Sequence, residues 1–231
     1  MPHNTPNTPP ESQTHAATDS APPNTAPNDT PELRVAIAQQ QFIVGDIVHN
    51  AHKMVALANE ARQKGANLIV FPELALLGYP PEDLLLRPSL AARVKYAFEI
   101  LSHVQDIVML VGYPHIDTHG TFNSLAIIHN GQQKGFYHKQ CLPNYGVFDE
   151  QRYFNTGQNN VLFDYQGLTI GLLICEDLWQ QAPIAALKHK GADIVVCVNA
   201  SPFEQNKQQI RKDLLQRRAS EHQLPIVYVN T

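Results

Sequence analysis

Apolar positions along the chain switch repeatedly between a two-residue period and a three-to-four-residue period. "LRVAIAQ" (Leu33 to Gln39) alternates Leu33, Val35 and Ile37 with smaller residues, and its β-branched content predicts a buried strand. Ala51, Met54, Val55, Ala58 and Ala61 then recur at steps of three and four, which places one apolar stripe on a helix, with Gly65 as its left-handed stop. "ANLIVFPE" predicts a short strand ended by Pro72, whose nitrogen cannot donate to a ladder. Together these form a βαβ unit. A second helix is expected from about Ser89 to Val104, with Ser89 as N-cap, followed by another parallel strand at "IVMLVGY" (Ile107 to Tyr113).

The pattern then changes to hairpins. "NSLAIIHNGQQKGFYHK" holds two strand-like runs around Asn130-Gly131, two residues that tolerate positive φ, and "VLFDYQGLTIGLLIC" repeats the form around Gln166-Gly167. After Cys175 the periods predict a helix (about Pro183 to Lys190), a strand (Ile194 to Val198), a long helix (about Glu204 to His222) and a strand (Ile226 to Val229). "KGANLIVFP" and "KGADIVVCV" reuse one helix-to-strand junction. Parallel units interleaved with hairpins predict an α/β fold with a mixed sheet and helices on its outer face. The strands are apolar on both sides, so a second layer must cover them.

Composition narrows the class. Residues 1–31, rich in Pro, Thr, Asn and Ala, carry almost no large apolar side chain and read as a disordered tail, with neither a secretory h-region nor an Arg-rich transit pattern. The remaining stretch, 32–231, is about 200 residues and suits one domain with a sizeable core. A net charge of -4 with scattered Lys and Arg excludes a basic stripe for nucleic acid. No apolar run approaches the roughly 18 residues of a membrane helix. Three cysteines, Cys141, Cys175 and Cys197, form an odd set without paired spacing, which points to free thiols in a reducing, cytoplasmic setting.

Three residues at strand ends carry candidate chemistry. Cys175 closes "GLLIC"; a lone Cys after an apolar run is ordinarily a buried, inert thiol, but the "EDLW" that follows needs solvent, partners or a pocket. Glu73 in "FPE" and Lys139 in "FYHK" stand just past other strands, where catalytic groups collect in α/β proteins. A nucleophile, a base and a cation are the inventory of covalent acyl transfer. The G-x-S-x-G, G-x-G-x-x-G and G-x-x-x-x-G-K-[ST] templates are absent, and no second pair joins His138 and Cys141 to complete a metal site.

"VFPELALLGYPPEDLL", "YHKQCLPNYGVFDEQRYF" and "LLICEDLW", in that order, resemble the nitrilase (carbon-nitrogen hydrolase) superfamily, and more narrowly the glutamine-hydrolysing domains of bacterial glutamine-dependent NAD synthetases. The resemblance runs from about Leu33 to Thr231. It implies a four-layer αββα sandwich and a Glu-Lys-Cys triad of Glu73 as base, Lys139 as cationic stabiliser and Cys175 as nucleophile. By motif match, Tyr145, Ser201 and Lys207 hold the glutamine substrate, and Glu150 in "FDE" is an auxiliary carboxylate near the triad. Glu176 would add a backbone N–H for the oxyanion, and Trp179 would wall the glutamine pocket. This half-reaction requires no cofactor or metal.

The chain departs from that pattern in two ways. It reaches no synthetase domain, to which ATP, Mg and the dinucleotide would belong in a longer parent, and it stops at "PIVYVNT" where relatives continue the sandwich, so the domain reads as incomplete at its C-terminus. The resemblance also implies homo-oligomers paired across a helical face. Three readings stay open: the glutaminase half of NAD synthesis, a stand-alone amidase or nitrilase for another small amide, or an inactive truncated unit.

Overall fold

A computed structural model describes residues 32–201, 205 and 207–231. The tail read over 1–31 and the expected helix start at Glu204 lie outside the described residues. Among the described residues, nine strands fall into two sheets. The first runs β1 (Val35–Ile37), β2 (Leu68–Val70), β3 (Val108–Asp117), β4 (Gly120–His129) and β5 (Gln132–His138) in that spatial order. The second runs β6 (Leu162–Tyr165), β7 (Leu168–Ile174), β8 (Ile194–Asn199) and β9 (Ile226–Asn230). Helices α1 (Ile47–Gln63) and α2 (Leu90–Leu101) connect the parallel strands of the first sheet; α3 (Glu176–Trp179), α4 (Gln181–His189) and α5 (Lys207–His222) serve the second.

Three separate apolar cores show why the strands read as apolar on both faces. Ile69, Met109 and Val111 face α1 and α2, packing with Ala51, Met54, Ala97 and Leu101. Their neighbours Leu68, Val70, Val108 and Leu110 point the other way and meet Leu172, Ile174, Val196 and Val198 of the second sheet. Leu173, Val195 and Cys197 then pack with Leu178, Ile184 and Leu187 of α3 and α4. The period-two alternation of each strand thus feeds two cores at once, and the layers run helix, sheet, sheet, helix. This is the αββα sandwich.

Several expectations are corrected. Periodicity alone led to one mixed sheet; the strands divide into two because the chain leaves the first sheet after β5 and starts a new hairpin at β6. The β3 strand continues past Tyr113 to Asp117 and folds back into β4 over ten paired positions, a hairpin with no Asn-Gly signal. Ser89 occupies the N-cap position of α2, but it is in the helical region and its side chain makes no capping bond. The two expected hairpin turns are present, with positive φ at Asn130, Gly131, Gln166 and Gly167.

Candidate functional site

Glu73, Lys139 and Cys175 leave the ends of β2, β5 and β7 and converge between the sheets. The Glu73 turn lies directly on β3: Phe71 N–H donates to Leu110 O at 2.9 Å and Leu76 N–H to Gly112 O at 3.0 Å. Only glycine fits at 112, because a Cβ there would collide with Pro72 O and Leu74 N. Gly157 does the same for the lysine: a Cβ would strike His138 O, while its N–H donates to Lys139 O at 2.8 Å. Cys175 stands at φ 48°, ψ −102°, a region that costs a side-chain-bearing residue about 1–3 kcal/mol and recurs at functional turns. Its N–H donates to Val198 O at 2.9 Å, which ties the turn to β8.

Lys139 is fully buried and its Nζ donates to Glu73 Oε1 at 2.7 Å and to Glu150 Oε1 and Oε2 at 2.8 and 2.7 Å. Glu73 Oε1 also accepts from Asn123 Nδ2 at 2.8 Å, and its Oε2 accepts from the Ala200 N–H at 3.0 Å. Asn123 binds twice, since its carbonyl accepts the Lys139 N–H at 2.8 Å. Burial pulls the Lys139 pKa down, but Glu73, Cys175 and Glu150 outweigh it and hold the ammonium well above its ordinary range. Glu150 is pushed up to about 7 by burial, against the pull of Lys139, because Glu73 already occupies the same cation.

The Cys175 thiol is raised well above its ordinary value, first by burial and then by the Glu73 charge, with Lys139 opposing. At rest it is a neutral thiol, and attack requires a base to remove its proton. Ser201 sits beside it, Oγ to Sγ 3.9 Å, held there by Asn230, whose Oδ1 accepts the Ser201 N–H at 2.8 Å. Tyr145, more than half exposed, donates its hydroxyl to Glu176 Oε2 at 2.8 Å, so these two expected substrate residues meet at the surface next to Cys175. Lys207 opens α5. Trp179 is half-buried at the end of α3, where its carbonyl accepts from Arg218 of α5 at 2.6 Å.

Sequence reasoning missed two buried polar residues. Asn123 lies in β4 just before the apolar run that starts at Leu125, and Asp177, one of the two acids after the cysteine, is fully buried with four donors on its carboxylate. A polar residue just before an apolar run, and an acid that follows a core strand directly, were the available signals. A cavity of about 620 Å³ touches Glu73 and Tyr79, and one of about 330 Å³ touches Tyr79 and Glu150. Among the described residues no group of His, Cys, Asp and Glu is placed to hold a metal ion, and no helix is long and apolar enough to cross a membrane.

Residues 34–231 match the carbon-nitrogen hydrolase family. The chain belongs to that family. It is 43% identical over 198 residues to the glutamine-dependent NAD(+) synthetase of Acinetobacter baylyi and 44% identical over 202 residues to that of Xylella fastidiosa, covering 85% and 86% of this chain. In each case the match spans only 37% of the relative's length. The solved glutamine-dependent NAD+ synthetase of Acinetobacter baumannii, in complex with ADP, superposes with a TM-score of 0.85 at 45% identity, over 86% of this chain and 38% of that one. An amidase from Nesterenkonia sp. shares the fold at a TM-score of 0.77 and 24% identity, over 86% of this chain and 75% of that one. The carbon-nitrogen hydrolase domain is therefore a hydrolase of the nitrilase superfamily, with relatives in NAD biosynthesis.

Proposed function

We propose that this domain hydrolyses the side-chain amide of glutamine to glutamate and ammonia, the ammonia-supplying half of glutamine-dependent NAD synthesis. The observation that carries this reading is a neutral, buried thiol on a strained turn within the field of the Glu73–Lys139–Glu150 cluster, in a chain similar to glutamine-dependent synthetases. Glu73 takes the proton of Cys175 as sulfur attacks the amide carbon. Lys139 Nζ and the Glu176 backbone N–H stabilise the oxyanion; one such donor contributes about 3–4 kcal/mol. Glu73 then passes the proton to the leaving nitrogen, ammonia departs, and water, deprotonated by Glu73, resolves the thioester to glutamate. Glu176, with Tyr145 and Ser201, suits the α-ammonium end of the substrate, Lys207 suits its α-carboxylate, and Trp179 walls the pocket. The ATP-dependent amidation of the deamido dinucleotide, with its ATP and Mg, is assigned to a synthetase domain separate from residues 32–231.

Ammonia release from glutamine, measured beside simple aliphatic amides and a Cys175→Ala control, tests the reading. Glutamine is expected to exceed the aliphatic amides. Comparable rates on those amides would instead favour a general amidase, and release no greater than the Cys175→Ala control would mark an inactive unit.

A further inference from the structure

Asp177 lies two residues past Cys175, fully buried, and its carboxylate accepts from four neutral donors. Each of its oxygens takes two donors. Oδ2 accepts from Ile174 N–H at 3.0 Å and Tyr137 O–H at 2.8 Å; Oδ1 accepts from Gln140 N–H at 3.0 Å and Cys141 N–H at 2.7 Å. The places of these donors in the chain matter most. Tyr137 precedes Lys139 by two positions and Gln140 and Cys141 follow it at once, so the lysine is bracketed. Ile174 directly precedes Cys175, and Asp177 itself follows on α3. One carboxylate therefore joins the end of β5 in the first sheet to the end of β7 in the second. The Gln140 side chain extends the network to the Tyr137 hydroxyl at 3.3 Å and Asn160 Oδ1 at 2.9 Å.

We propose that Asp177 is a positioning residue that sets the Lys139 ammonium against the Cys175 thiol by clamping the two strand ends that carry them. The inference rests on Cys175 and Lys139 acting together, as in the proposed function. No ladder hydrogen bond fixes this register, because β5 and β7 belong to different sheets. Asparagine at 177 would keep the shape but lose the clamp. Its NH2 group must face either Ile174 N–H or the Gln140 and Cys141 N–H pair, donor against donor. Once the strand ends part, Lys139 no longer offsets burial and the Glu73 charge at the thiol.

The test is the rate of Cys175 alkylation by iodoacetamide across pH, with the site read by mass spectrometry so that Cys141 and Cys197 are counted apart, on the full 231-residue chain. Asp177→Asn is expected to slow labelling about tenfold and to move the pH midpoint upward; Tyr137→Phe, which removes one donor of four, is expected to slow it about threefold in the same direction. A folded Asp177→Asn protein with wild-type rate and midpoint overturns the proposal. So does slower labelling at an unchanged midpoint, which would reflect looser packing alone. Should Asp177→Asn fail to fold, Tyr137→Phe decides on the same criteria. Because alkylation does not involve glutamine, absent ammonia release with these shifts intact would overturn the proposed function and leave the clamp standing.

Discussion

At one end of the site, two buried carboxylates, Glu73 and Glu150, share the single ammonium of Lys139; at the other, one buried carboxylate, Asp177, takes four neutral donors. Both centres are buried, yet they are satisfied differently. The first has one more negative than positive charge when fully ionised, so a proton there is exchanged at modest cost, and Glu150 is pushed up to about 7. Burial also raises the Asp177 pKa, but the donors from Ile174, Tyr137 and Cys141 and the charge of Lys139 work against it. Proton traffic belongs to the crowded centre and geometry to the satisfied one.

The largest effect is expected from removing the shared cation. Lys139→Met leaves Glu73 and Glu150 buried and facing each other without compensation, and breaking a buried pair in this way costs about 3–5 kcal/mol. Urea unfolding should show that loss at pH 8 and a smaller one at pH 5, where Glu150 takes up a proton. A loss of equal size at both pH values would contradict the charge-sharing account. Cys175 alkylation should fall with it, since burial and the Glu73 charge would then raise the thiol unopposed.

Glu73→Gln removes the proton acceptor while keeping the cation of Lys139 paired with Glu150. The amide oxygen can replace the Oε2 acceptor of the Ala200 N–H, while the group no longer accepts a proton. Labelling of Cys175 by a chloroketone analogue of glutamine should drop by about 10²–10⁴, the usual contribution of a positioned base, with unfolding shifted less than for Lys139→Met. Equal labelling of Glu73→Gln and wild type would remove Glu73 as the base.

The same contrast governs what the sequence makes legible. Glu73, Lys139 and Cys175 stand at strand ends, and the strand-like runs that precede them mark those ends directly. Asp177 is harder to read. Beside Cys175 it looks like an unfavourable charge, and only its four donors, three of them from segments at least 36 residues away, show why it is buried. Asn123 is likewise explained only by Glu73, 50 residues earlier. Alternation revealed that both faces of the strands are covered, but the identity of the cover, a second sheet, depends on contacts between β7 or β8 and the first sheet that no local period encodes. Gly112 carried a usable signal, since a glycine inside an apolar strand marks a close backbone approach.

The smallest effect sharpens the comparison by pH alone. Glu150 has a native pKa near 7 against an ordinary value of 4.5, so between those limits the folded chain keeps a proton that the unfolded chain releases. The sign follows from linkage: this group's contribution is most favourable below about 4.5, declines as pH rises, and levels off above 7. Glu150→Gln loses the charge-assisted bonds to Lys139 at every pH, but it also loses this slope. The Tm of the variant relative to wild type should therefore rise between pH 5 and pH 8 by roughly 2–8 °C, given about 2–4 °C per kcal/mol for a domain of this size. A difference that stays flat across that window would mean that Glu150 is ionised throughout, and that Lys139 balances both carboxylates without an exchangeable proton.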